Sequence, residues 1–387
     1  VLLDALPTDD RHQELTTYLG SVFGENLHVK RIESLSAATL GVIKSASLAV
    51  CTIGQALAQA RELTTKHAIK QVDRLLSNSA IDVWEMFADW VPEVVGNAQD
   101  IAVVIDWTEF DADDQATLVA SLVTSHGRST PLIWLTVWKD ELENAQSDYE
   151  DAVLRRLWEV LPPDVAVTIL ADRGFGDRKL MGFLEELGFG YVIRIRGNIT
   201  VEAANGETRK SAQWVGKNGR ARKLSHARIT RARKPVPAVV CVHAKGMKEP
   251  WCLVTSKAEA KAAEIKNLYS RRWTTEPTFR DTKDLRFGMG LKSVRVSEPQ
   301  RRDRMLLLSA FAITFLTLLG EAGESLGMDR LLKSNTARKR VHSLFRQGCM
   351  LYELMPGMPE HRLAPLVERF AELIQQRRMF QNAFSKL

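Results

Sequence analysis

Two apolar runs in this sequence end in aspartate. Residues 101–105, IAVVI, lead into Asp106, and residues 165–171, VAVTILA, lead into Asp172. An aspartate at the edge of a buried strand has lost most of its water and stays ionised only where a cation or hydrogen-bond donors stabilise it. Two such strands side by side bring both carboxylates to one sheet edge. Their repulsion is then relieved by a divalent metal with oxygen ligands, of the kind Mg²⁺ prefers. The plainer alternative is a pair of turn or cap aspartates, because Asp-Arg-Gly after a strand is also good turn chemistry.

A third carboxylate stands in an unexpected place. Residues 269–283, YSRRWTTEPTFRDTK, carry four basic residues around Glu276. Tyr269, Arg272, Glu276 and Lys283 follow one another at helical spacings, which set the four side chains on one face. A carboxylate flanked by Arg, Lys and Tyr fits a site where it holds a metal while its neighbours hold phosphate oxygens. The alternative is a salt-bridge ladder on an exposed helix, contributing a few tenths of a kcal/mol per pair. Pro277 directly follows Glu276, so the helix is expected to kink there or to begin near Thr275. A break that turned Lys283 away would leave only Tyr269, Arg272 and Glu276 on the shared face.

The elements that must position these residues are legible in the hydrophobic pattern. Residues 11–95 read as helices. Within them, CTIGQALAQARELTTKHAIKQVDRLLSN forms two helices around a turn near 62–65. The second carries Lys66, Lys70 and Arg74 four residues apart, a basic stripe suited to a phosphate backbone or, more blandly, a solvated surface. From Ile101 the texture changes to three strands, IAVVIDWTEF, QATLVASLVTSHG and STPLIWLTVWK, expected as antiparallel neighbours with a turn at His126-Gly127-Arg128. A helix over 148–161, a buried strand ending at Asp172, a helix over 178–187 and the strand YVIRIRG follow. Residues 194–234 hold twelve basic and two acidic residues, a net of +10, which favours a polyanion-facing surface over a merely solvated one. The strand WCLVTS leads into a long helical pattern from Ala258, and the chain reads as helical beyond Arg301. MLLLSAFAITFLTLL, residues 305–319, falls short of the roughly 18 to 20 residues that span a bilayer and reads as a buried helix, with no membrane role.

The bulk numbers agree with an intracellular, nucleic-acid-facing protein without requiring one. The chain has 387 residues, 45% of them hydrophobic, a net charge of +6 and a pI of about 9.1. That length allows two or three domains with a real core. Cys51, Cys241, Cys252 and Cys349 match neither a zinc pattern nor a disulfide framework, so reduced thiols are expected. The first residues lack a basic segment followed by a long apolar one, so no signal peptide is expected and the localisation reads as cytoplasmic.

The spacing Tyr, two residues, Arg, three residues, Glu, six residues, Lys resembles the signature of the DDE cut-and-paste transposases of bacterial insertion sequences, complete at all four letters. Asp106 in VVIDWT and Asp172 in ILADRGF resemble the first and second catalytic aspartates of that family. KEPWCLVTS resembles the segment that ends the family's inserted β domain, and KHAIKQVDRLLSN resembles part of its end-binding region. The likeness spans most of the chain and is weakest beyond about residue 325. It implies an α/β fold: a ribonuclease-H-like catalytic domain over 98–300 with an inserted basic β domain at about 196–256. A helical DNA-end-binding domain over 1–97 precedes it, and a helical dimerisation region over 301–387 follows. The 104 positions between Asp172 and Glu276 accommodate that insertion. The resemblance further implies that Asp106, Asp172 and Glu276 hold two Mg²⁺ ions, with Mn²⁺ able to substitute. Arg272 and Lys283 neutralise phosphates, Tyr269 donates a hydrogen bond to one, and Trp251 stacks on a base flipped from the duplex. The implied partners are double-stranded DNA, as element ends and target, and a second copy of the chain. A metal-dependent structure-specific nuclease, or a non-catalytic DNA-binding regulator derived from a transposase, are the alternatives.

Overall fold

The computed structural model describes residues 8–124, 127–216, 218–286 and 288–384. The turn expected at His126 and the first residues of the chain thus lie partly or wholly outside the described residues.

Five helices come first: α1 (Thr8–Phe23), α2 (Val29–Ser45), α3 (Val50–Ala60), α4 (Thr65–Leu76) and α5 (Val83–Val95). The turn between α3 and α4 falls where expected, with Glu62 at a φ of 50°. The two helices cross so closely at Gly54 that a Cβ there would stand 2.6 Å from Cα of Ile69. Ala68, Val72, Leu75 and Leu76 face inward from α4, which leaves Lys66, Lys70 and Arg74 exposed on the other side. The side chain of Asp82 accepts from the backbone N–H groups of Trp84 and Glu85 and so starts α5.

The centre of the molecule is one mixed sheet. Strands β1 (Asp100–Phe110), β2 (Gln115–Val123) and β3 (Ser129–Trp138) form the antiparallel meander read from the sequence. After α6 (Gln146–Val160), β4 (Ala166–Ala171) returns parallel to β1. After α7 (Arg178–Glu186), β5 (Gly190–Ile195) pairs parallel with β4. The basic segment then adds β6 (Thr200–Glu202), β7 (Thr208–Lys210), β8 (Arg222–Ile229), β9 (Lys234–Val242) and β10 (Trp251–Thr255). These strands extend the same sheet, because β10 pairs with β5 and β9 with β10. The full order is β3-β2-β1-β4-β5-β10-β9-β8-β6-β7.

Each face of the sheet has its own cover. Val104, Leu170, Val192, Val240 and Leu253 point to one side and pack against Ile265 and Tyr269 of α8 (Ala262–Ser270). On the other side Val103, Ile105, Ile169 and Ile193 join the main core with Leu154 and Leu157 of α6 and Leu184 of α7. The helical pattern from Ala258 is not one helix. It divides into α8, a 3₁₀ turn over Arg271–Thr274 and α9 (Thr275–Lys283). Pro277 is the cause: it lacks an N–H, so it is tolerated in the first turn of α9, not within a longer helix.

The remaining helices are α10 (Pro299–Ser325), α11 (Leu344–Leu354) and α12 (Glu360–Phe384). The apolar stretch at 305–319 belongs to α10, whose 27 residues make it longer than that stretch suggested. It is long and apolar enough to cross a membrane, yet 72% of its most apolar window is buried inside the protein. Its first turns also carry the buried Arg302, Asp303 and Arg304, which bind groups in the sheet and in the N-terminal helices.

Candidate active site

The two strand-end aspartates meet. The parallel ladder of β1 and β4 ends with Val104 opposite Leu170; Asp106 lies two residues further along β1, and Asp172 directly follows β4, near enough for its charge to raise the Asp106 carboxyl. Side chains alternate along a strand. Asp106 therefore shares a face with Val104, on the side that α8 covers. The hydrophobic row that buries α8 thus leads directly to Asp106 at the sheet's edge.

Asp106 is three-quarters covered, and burial pushes its carboxyl up to about 6. Arg272 opposes this, while the charges of Asp172 and Glu276 add to it, so both carboxylates lie near enough to act on Asp106. Asp172 also does turn work, since its Oδ1 accepts from the backbone N–H of Gly174 at 2.6 Å. The turn reading and the site reading of this residue therefore hold together. Glu276 is exposed, in the first turn of α9.

The four helix-spaced residues come to this edge by a route other than a single helical face. Tyr269 ends up in α8, Arg272 in the 3₁₀ turn, and Glu276 and Lys283 in α9. Arg272 is buried and donates from Nη1 to Asp106 Oδ2 at 3.3 Å, while its Nε is buried without a partner. Lys283 is not turned away. Its Nζ donates to Thr108 Oγ1 at 2.7 Å and to the carbonyl of Glu109 at 3.1 Å, on the same strand as Asp106. Burial pushes its ammonium down to about 8, and the nearby charges of Lys292 and Arg302 act in the same sense.

Tyr269 packs inward. It is 1% exposed, and its ring meets the half-buried ring of Trp251 edge-to-face at 5.0 Å. Trp251 thus packs on Tyr269 at the margin of the apolar cluster, partly exposed to solvent.

Sequence reading missed several partners. Glu249 accepts from Arg173 at 3.1 Å and from Arg194 at 2.6 Å, tying the entrance of β10 to the turn after Asp172. Both arginines and Glu249 lay in quoted segments, but only the pairing of β10 with β5 brings them together. Much of the +10 segment is likewise engaged. Arg209 and Arg222 flank the buried ring of Trp214 at 5.1 and 5.0 Å. Arg228 and Arg233 share Glu202, and Lys223 donates to the carbonyls of Ala258 and Ala260. Arg196, Arg220 and Arg231 remain exposed. Lys217 lies outside the described residues.

Residues 98–315 match the transposase DDE domain. That is more than half of the chain. The chain belongs to the DDE transposase family. The matched segment begins just before β1 and ends within α10, so it contains every residue of the carboxylate site and the basic strands. Among curated proteins none matches the chain. As a DDE transposase the protein is a DNA transposition enzyme, and DNA is its substrate. Asp106, Asp172 and Glu276 offer a transposase oxygen ligands alone, the donor set that hard divalent cations take. Among the described residues, no three acidic, histidine or cysteine side chains are grouped so that they could hold a metal ion. The fit to a cation rests on the oxygen-only donors, on the charges of Asp172 and Glu276 that raise the partly covered Asp106 carboxyl, and on Arg272, which supplies positive charge to Asp106.

Proposed function

We propose that the protein is a cut-and-paste transposase of a bacterial insertion sequence, of the subfamily with the Tyr-Arg-Glu-Lys signature. It binds the ends of its element, cleaves them by metal-dependent phosphoryl transfer through a hairpin, and joins the 3′ ends to target DNA. The observation that carries this reading is the parallel pairing of β1 and β4, at whose ends Asp106 and Asp172 lie, with the charges of Asp172 and Glu276 both near enough to raise the Asp106 carboxyl. The order β3-β2-β1-β4-β5 supports a ribonuclease-H-like core, with the remaining strands as its insertion at about 196–256. On this reading residues 1–97 bind element ends, 98–300 cut and join, and 301–387 help to pair two copies in the synaptic complex. The setting is the bacterial cytoplasm.

Asp106, Asp172 and Glu276 would hold two divalent ions, Mg²⁺ or Mn²⁺ in its place. Such ions supply a clamp on the attacking and leaving oxygens of an in-line displacement at phosphorus. The chain's own residues do the rest. Arg272, with Nε free, can turn from Asp106 toward a phosphate oxygen. Lys283 holds its charge at the end of β1, where the DNA strand passes. Tyr269 anchors the turn that carries Arg272. Water attacks first, and the freed 3′-hydroxyl attacks next. The test is direct: the protein, element-end DNA and Mg²⁺ should yield nicked, hairpinned and joined products. Nicking without joining would favour a structure-specific nuclease, and binding without nicking a regulator.

End binding is expected to depend on α4. Replacing Lys66, Lys70 and Arg74 with alanine should weaken binding and flatten its salt dependence by about 2 to 3 in the log–log slope, since each lost phosphate contact removes close to one counterion. Titrations of an end-DNA duplex at several salt concentrations measure this. An unchanged slope would remove α4 from the DNA interface.

Trp251 is half-buried, so its ring can serve packing or a flipped base. Base stacking is worth about 1 to 3 kcal/mol, so Trp251→Ala should slow hairpin formation roughly tenfold to a hundredfold while sparing the first nick. A core role would instead lower stability by about 3 to 5 kcal/mol and depress both steps together. Nicking rate, hairpin yield and melting temperature on one variant decide between them. Equal loss of both steps with a large fall in melting temperature would end the stacking assignment.

A further inference from the structure

Glu276 stands on a helix that cannot place itself. The helix α9 has nine residues, and its N-cap residue makes no side-chain cap hydrogen bond. Helices shorter than about 12 residues are marginal in water, so what fixes α9 is its contact with the sheet. Phe279 packs on the main core and Lys283 bonds to β1, while the contact with β3 is polar. Thr278 accepts from the backbone N–H of Ser129 at 2.9 Å, at the start of β3. Its hydroxyl also lies 3.1 Å from the carbonyl of Ser129. One turn on, Asp281 accepts from Arg128 Nε at 2.6 Å, and Arg128 Nη1 donates to the carbonyl of Gly127 at 3.1 Å. The side chains of Arg128 and Asp281 are 19% and 7% exposed. None of these residues touches the carboxylates, and the sequence reading singled none of them out as a site residue.

A buried ion pair is a poor source of stability, because desolvation offsets the attraction and apolar residues of similar size often do as well. It is a good source of geometry, because a planar guanidinium that donates Nε to Asp281 and Nη1 to the Gly127 carbonyl can hold both in few orientations. A carboxylate reaching about 5 to 6 Å from a helix axis moves roughly 2 Å when the helix rolls by about 20°. Active-site groups must hold their place within about 0.5 Å.

We infer that Arg128 and Asp281, with Thr278, are positioning residues that set the rotation of α9 on β3 and so the placement of Glu276 against Asp106 and Asp172. The inference rests on the reading of Glu276 as a site carboxylate. Arg128 and the start of β3 thereby join the catalytic apparatus although they lie outside the site.

The test replaces both charges with apolar side chains, as Arg128→Met with Asp281→Leu, in the full-length protein. The expected result is a melting temperature near or above that of the wild type. First-strand nicking turnover should fall by about 100-fold, the effect of a misplacement near 1 Å, with KM for end DNA within twofold. Mn²⁺ affinity of the DNA-free protein, read from the free-ion electron paramagnetic resonance signal, should fall in parallel. A folded double variant with wild-type turnover and Mn²⁺ affinity overturns the inference. If the double variant melts far below the wild type, Arg128→Lys decides, since it keeps the charge but removes the fork. Wild-type turnover in Arg128→Lys likewise overturns the inference. Glu276→Gln run alongside keeps the two readings apart: activity there refutes the parent site, whereas an inactive Glu276→Gln beside a fully active double variant refutes only the positioning role.

Discussion

Asp106→Asn, Asp172→Asn and Glu276→Gln should each reduce Mg²⁺-dependent nicking of element ends by about a thousandfold or more, equivalent to ~4 kcal/mol of transition-state stabilisation. End binding should stay within about twofold, since none of the three faces DNA as a favourable charge. Stability should hold. Asp172→Asn keeps the oxygen that accepts from Gly174 N–H, and Glu276 is exposed. Asp106 is three-quarters covered, and its carboxyl is raised by burial and by the other two carboxylates. Its neutral amide therefore removes repulsion even as it weakens the contact with Arg272. Sites of this kind commonly gain stability when a functional charge is removed. Nicking assays with Mg²⁺, binding assays with Ca²⁺ and melting curves separate the three effects. A variant that nicks within tenfold of the wild-type rate would take its residue out of the site.

The strands of this site were readable because burial writes itself into hydrophobic runs. IAVVI and VAVTILA announced β1 and β4, and their last residues announced the carboxylates, all from local pattern. The parallel pairing that brings Asp106 near Asp172 is not local. Nothing in either run states which strand is its neighbour, and the expectation of adjacency came from what two buried carboxylates would need. The helix carrying Glu276 was partly readable. Pro277 marked a boundary, and α9 does begin at Thr275. Spacing alone could not show that Arg272 would lie in a 3₁₀ turn and still reach Asp106, because that depends on how α8 packs over Val104 and Leu170. The contacts between distant segments were silent. Arg128 and Asp281 are 153 positions apart, and neither sits in a pattern that calls for the other. Charge counting over 194–234 had the opposite limitation. It registered a basic surface but not that Arg209 and Arg222 are committed to the ring of Trp214, or Lys223 to backbone carbonyls.

Arg302→Met should destabilise the protein by about 3 to 5 kcal/mol, the penalty of leaving a buried carboxylate without its partner. Arg302 is fully buried in the first turns of α10. Its Nη2 donates to Asp113 Oδ2 at 2.6 Å and its Nε to Gln115 Oε1 at 2.7 Å. Its guanidinium carbon lies 3.7 Å from the centroid of the Phe110 ring, within cation–π range. Phe110 closes β1, and its ring also meets Lys283 Nζ at 4.6 Å. A single arginine from the C-terminal helices therefore fastens the end of the strand that carries Asp106. Methionine fills much of the same volume, so the loss comes from Asp113 and the ring contact, not from a cavity. The carboxylate keeps the N–H of Val296 at 3.2 Å and Arg295 Nη1 at 3.3 Å, so Asp113→Asn in the Arg302→Met background should recover part of the stability. Asparagine there preserves an acceptor for Val296 and removes the charge that has lost its buried partner. Urea unfolding of the wild type and of the single and double variants measures the cycle. An Arg302→Met midpoint within the equivalent of about 1 kcal/mol of wild type would mean that the pair contributes no more than an exposed one. The tie between α10 and the sheet would then have to reside in Asp303, whose side chain accepts from the Thr136 N–H of β3 at 3.1 Å and from the Thr136 hydroxyl at 2.6 Å.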